Sequence, residues 1–121
     1  MATYSKQILS GSTNGRGIAV AATSTPGTTI HATGISATTL DEVWIYAANI
    51  HSSAVVLTIE FGGTTVTSDL IQTSIATTPS GLVLVCAGLL LRGTGSAATT
   101  ITAFAGTASK IELFGYVNRI A

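Results

Sequence analysis

Apolar and polar side chains alternate with a period of two along much of this chain, the mark of strands with one face turned to a core. Over residues 42–48, Val43, Ile45 and Ala47 fall on one face and Trp44, Tyr46 and Ala48 on the other, so both sides of this strand call for cover. After a polar turn at 49–53, Val55, Leu57, Ile59 and Phe61 line one face, with Ala54, Val56, Thr58 and Glu60 opposite. The short loop between these runs predicts a hairpin. Gly62-Gly63 then turns the chain into a further strand at 64–68, which makes the middle of the protein a meander.

Weaker strands are predicted at 17–22 and 28–33, divided by Thr25-Pro26-Gly27, where proline fixes φ and glycine supplies the positive φ of a type II turn. Pro79-Ser80-Gly81 introduces a strand over 82–86, Gly88 breaks the run before 89–92, and strands at 99–105 and 111–119 complete the set. β-Branched residues dominate and the long charged side chains that clothe helices are scarce. About eight short strands with no helix to cover a parallel sheet predict an all-β fold, an antiparallel β-sandwich in the form of a jelly roll. Residues 1–15 are polar and rich in Gly and Ser. They read as an N-terminal arm ordered against a partner, with 16–121 as a single β-sandwich domain.

Composition changes the picture in one respect. A chain of 121 residues buries roughly two-thirds of its unfolded surface around one core, yet only 8% of this one is charged, against about 25% in an ordinary soluble domain. A surface of Thr, Ser, Ala and Gly suits a protein packed against copies of itself or a partner. Five basic residues balance five acidic ones, so no basic field exists to displace counterions from a nucleic acid. Cys86 is the single cysteine and lies in an apolar run, which reads as a small buried side chain, not a metal ligand or reactive thiol. The N-terminus lacks the apolar stretch of a secretory signal, and 82–91 is about half the roughly 20 residues of a membrane span. Folding in a reducing cytoplasm is the expectation, with no membrane partner.

No constellation carries a strong chemical signal. His31, His51, Asp41 and Asp69 are the nominal members of a hydrolase triad, but no Gly-x-Ser-x-Gly elbow marks a nucleophile. Gly93-Thr94-Gly95-Ser96-Ala97-Ala98 matches a relaxed dinucleotide fingerprint, but the β-branched residues after it predict a strand where that motif needs a helix N-terminus. Asp41 and Glu42 point to opposite faces and read as a solvated strand start. Trp44, Tyr46 and Tyr116 read as core, or as a sugar-stacking platform if exposed. The expectation is therefore no catalytic residue, cofactor or metal. Tyr4, Lys6, Arg16, Arg92 and Arg119 are the candidate interface residues, the arginines as anchors for carboxylates on a neighbour.

Four segments, Val43-Trp44-Ile45-Tyr46-Ala47-Ala48-Asn49, Gly62-Gly63-Thr64-Thr65, Ser80-Gly81-Leu82-Val83-Leu84-Val85 and Gly115-Tyr116-Val117-Asn118-Arg119-Ile120, resemble small virion proteins of tailed bacteriophages. The resemblance spans residues 40–120 and is most like the capsid decoration, or cement, class. It implies a non-enzymatic structural protein that binds the outer surface of a phage capsid and stabilises the shell. Its partners would be the major capsid protein and further copies of itself, as a homodimer or homotrimer, on a virion assembled in the host cytoplasm. A neck, tail or fibre component of the virion and a carbohydrate-binding β-sandwich are the alternatives.

Overall fold

The structure, a computed structural model, describes residues 2–77 and 81–121. The Pro79-Ser80 turn and the start of the Ser80-Gly81 segment lie outside them. Nine strands and no helix occur among the described residues: β1 (Tyr4–Ile8), β2 (Ile18–Ala19), β3 (Thr28–Ala32), β4 (Leu40–Asn49), β5 (Val55–Phe61), β6 (Leu70–Ile75), β7 (Val83–Arg92), β8 (Thr100–Ala105) and β9 (Ile111–Ile120). They form two antiparallel sheets packed as a β-sandwich. The first runs β1-β9-β4-β7, with β2 continuing the β1 edge of β9, and the second runs β3-β8-β5-β6.

The alternation read from the sequence is what fills the space between them. Val43 and Ile45 of β4 and Leu113 and Val117 of β9 meet Leu57 and Ile59 of β5 and Ile101 of β8, all fully buried. Each such side chain contributes roughly 1.5–3 kcal/mol by leaving water. Cys86 is buried on the same face, its Sγ–H donating to the Val43 carbonyl at 3.5 Å, and burial pushes its thiol pKa up.

Three expectations are corrected. β4 and β5 do not form a hairpin: β4 pairs with β7 and β9, and β5 with β6 and β8, so the loop at 50–54 carries the chain across the core from one sheet to the other. Two apolar faces fit equally well side by side or face to face, and here they face. Residues 64–68 are a turn, not a strand, and β6 starts at Leu70. The Asp69 carboxylate accepts from the Thr65 N–H at 3.0 Å and from the Ser68 hydroxyl at 3.0 Å, an arrangement that curls the backbone. Residues 4–8 are not an arm outside the strands. They pair residue for residue with Ile120 to Tyr116 of β9, and the next residue, Leu9, is buried in the core.

Two glycines serve close approach and curvature. Gly27 lies so near the Ala103 backbone that a Cβ would run into it, and its φ is not positive, so the type II turn is replaced by a packed crossing. Gly88 does not end a strand. It sits at φ +73 in a β-bulge of β7, beneath the Trp44 ring.

Candidate functional site

The outer faces of the two sheets differ in kind. On the second sheet, Thr58, Thr102 and Gln72 alternate with the core residues, and the loop after β2 folds across them. Glu60, buried beneath that loop, accepts from the Thr25 hydroxyl at 2.5 Å, the Thr102 hydroxyl at 2.5 Å and the Gly27 N–H at 2.9 Å. Burial alone would raise its pKa. The three donors, Thr102 and Thr25 foremost, outweigh it and hold the carboxyl below its ordinary value.

On the first sheet the outward positions carry a cluster of aromatic and aliphatic side chains, with Lys6, Glu42, Glu112, Asn118 and Arg92 around it. Register places Trp44 of β4 directly opposite Tyr116 of β9, and Tyr46 opposite Phe114. Trp44 and Tyr116 stack with ring centroids 6.3 Å apart and planes 12° from parallel. The Trp44 indole N–H donates to Glu42 at 2.8 Å, which ties the ring to its own strand, and the ring lies over Gly88 of β7. From β1, the Lys6 ammonium stands 5.2 Å above the centre of the Tyr116 ring. Leu84 and Leu90 of β7 extend the face on the far side. These aromatics are half-buried on the outside of the sandwich, so the core reading of Trp44, Tyr46 and Tyr116 gives way to an outward platform.

Of the candidate interface residues, Tyr4 and Lys6 lie on this face, Tyr4 with 66% of its surface exposed. Arg92 sits at the end of β7 and donates to the Ala37 carbonyl at 3.1 Å. Arg16 is exposed in the loop between β1 and β2. Arg119 is different: its side chain turns to the core side and is spent on its own chain. Its Nε donates to Asp41 Oδ1 at 2.8 Å and Nη2 to Oδ2 at 2.9 Å, a bidentate clamp that leaves little for a neighbour's carboxylate.

That clamp belongs to a cluster that sequence reasoning missed, because its members are 10 and 78 residues apart. Asp41 of the first sheet also meets His31 of the second, with Nε2 to Oδ2 2.7 Å, and the His31 Nδ1 accepts the Ser10 N–H at 3.0 Å. Both His31 and Asp41 are fully buried, which overturns the solvated reading of Asp41. Burial alone would raise Asp41, but the hydrogen bonds from Arg119 and His31 hold it below its ordinary value. The pair has the look of a base and its orienting carboxylate, yet the nitrogen that would take a proton is occupied by a backbone N–H. His51 and Asp69 lie elsewhere, in separate turns. The cluster is an inter-sheet staple.

The glycine-rich segment at 93–98 leads into β8, a strand, so it offers no helix N-terminus to a phosphate. Among the described residues no three metal-capable side chains cluster, no buried side-chain polar atom lacks a partner and no cavity opens. The chain matches no protein-family model and no curated protein. The surface that stands out is the flat aromatic face of the first sheet.

Proposed function

We propose that this chain is a non-enzymatic virion structural protein that docks the outer face of its first sheet on a phage capsid and stabilises the shell. The observation that carries the reading is the contrast between the outer face of β1-β9-β4-β7, where Trp44, Tyr46, Phe114 and Tyr116 cluster, and that of β3-β8-β5-β6, where Thr58, Thr102 and Gln72 lie with Phe104 as the aromatic. Flat aromatic faces without a cavity suit macromolecular contact better than small ligands, which take concave sites. Strand order adds support for the jelly-roll form of the sandwich. With the two-residue β2 set aside, the strands run 1-8-3-6 in one sheet and 2-7-4-5 in the other, the order that two interleaved Greek keys produce. The sequence resemblance points to the same class.

A protein that binds the assembled shell and not its free subunits stabilises the shell by mass action. The test is the temperature at which packaged DNA becomes accessible to dye. Particles stripped of this protein should release DNA at lower temperature than complete ones, and adding the Trp44→Ala/Tyr116→Ala protein should not restore them. Equal release temperatures, with stripped particles failing to join tails or adsorb to cells, would replace the capsid reading with the neck, tail or fibre one. The stacked Trp44–Tyr116 pair also favours a carbohydrate-binding reading, in which the double variant loses glycan binding while attachment to particles is unchanged.

A further inference from the structure

The first sheet ends in a strand built unlike the molecule's other edges. β1, at the opposite end, is five residues long and carries Lys6. β3 is covered by the segment after β1: Gly11 N–H donates to the Ile30 carbonyl at 2.9 Å and Ala32 N–H to Ser10 Oγ at 2.7 Å. β6 presents Gln72 and Ser74 to solvent. β7 is ten residues long, and among the described residues no strand pairs with its outer side. Leu82, Val83, Leu84, Leu89 and Leu90 are all exposed, Leu90 to 53%, so five of the eleven exposed large hydrophobics among the described residues fall within nine residues.

We infer that the free edge of β7 pairs antiparallel with the same edge of a second copy, so that the protein is a two-fold dimer with one continuous sheet across both chains. Three observations select a copy of this chain over another partner. No Asp, Glu, Lys, Arg or His occurs anywhere from residue 70 to residue 91. In an isologous contact each residue near the axis meets its own twin, so a charge there would repel itself, and the one charge of β7, Arg92, stands at the very end of the strand, away from its middle. The same lack of charge gives a different partner nothing to recognise by electrostatic complementarity. The area also suffices: an edge about 33 Å long, wrapped through roughly 20 Å of thickness and flanking face, comes to about 660 Å² per partner, close to the ~800 Å² of a standard interface. Residues 89–92 keep an unbroken register with β4 beyond the bulges, giving the pairing a regular segment. Two aromatic faces would then join into a single floor.

This inference stands on the edge of β7 and is independent of the capsid reading. Light scattering on the purified chain should give about 24 kDa, twice the 12.2 kDa of one chain. Leu84→Lys/Leu90→Lys should give about 12 kDa with an unchanged circular dichroism spectrum, whereas Val56→Lys on the other sheet should remain a dimer. Hydrogen exchange on the unaltered protein makes the test independent of any variant's folding: amides of β7 should exchange more slowly as concentration rises, with other strands little changed. A monomer, a mass near 37 kDa, a folded double variant that stays dimeric, or concentration-dependent protection away from β7 would each overturn it. A dimer through another surface would remove this edge and leave the capsid reading standing, since attachment to particles is measured separately.

Discussion

The two sides of the sandwich solve the same problem in opposite ways. On the side of β1 and β3, the gap between the sheets is closed by Leu9 in the core, the N–H groups of Ser10 and Gly11 donating to His31 Nδ1 and the Ile30 carbonyl of β3, and the His31–Asp41–Arg119 staple from one sheet to the other. On the side of β6 and β7, Asn49 of β4 donates to the Ile75 carbonyl of β6 at 2.7 Å, but no charged group bridges the sheets among the described residues, and even core-side residues of β7 such as Val83 and Leu89 stay exposed. A closed side fixes the fold by itself. An open one leaves apolar surface for a partner to complete, and its strands carry a single charge, Arg92 at the end of β7.

If the staple holds the closed side, removing its centre should have the largest effect. Asp41→Ala leaves Arg119 and His31 without their shared acceptor in a buried setting, and the expected loss is about 3–4 kcal/mol in denaturant unfolding. Leu9→Ala, a cavity on the same side, should cost about 3 kcal/mol. The matching change on the open side, Leu90→Ser, should shift monomer stability by no more than about 0.5 kcal/mol. Equal losses on the two sides would erase the distinction. Deleting residues 1–9 should likewise destabilise the fold instead of merely trimming an arm, because it removes a paired strand and a core leucine.

Acid should act through the buried carboxylates. Asp41 and Glu60 both have folded pKa values below their ordinary 3.8 and 4.5. A depressed carboxylate contributes stability that is complete above its unfolded pKa and is lost as pH falls through the folded one. Stability is therefore expected to hold from neutral pH down to about 4.5 and to decline below it, with Asp41→Asn flattening the part of the decline below about 3.8. Urea midpoints at successive pH values measure this. A decline that begins near pH 6 would point to a different group.

The strands that face the core were legible because alternation of β-branched and polar residues is a local signal, and β4, β5, β8 and β9 lie within a residue or two of their expected places. Pairing was not legible. The apolar faces of β4 and β5 are the same whether the strands lie side by side or across a core, and only long-range register decides. β1 escaped notice because an exposed edge strand need not alternate: Tyr4, Lys6 and Ile8 face one way and Ser5 and Gln7 the other, with none of them buried. Trp44 and Tyr116 read as core since an apolar residue on an outer face leaves the same trace as one inside. The Asp41 cluster is assembled from three distant segments, and no spacing in the chain announces it.

The smallest effect sharpens the contrast between the two ends of the first sheet. Lys6 is the charged residue of β1, and its ammonium lies over the Tyr116 ring. An exposed cation–π contact contributes about 0.5–1 kcal/mol, while valine in its place gains strand propensity of similar size, so Lys6→Val should change the denaturant midpoint very little. Its effect on association is expected to be larger. With the lysine gone, β1 becomes a second uncharged edge at the other end of the same sheet, and dimers already joined through β7 acquire a way to add end to end. Light scattering should then show masses above about 24 kDa that grow with concentration, while Lys6→Arg, which keeps the charge, stays at the mass of the unaltered protein. If Lys6→Val behaves as the unaltered chain does, the short length of β1 and not its charge guards that edge, and the difference between the two ends reduces to strand length.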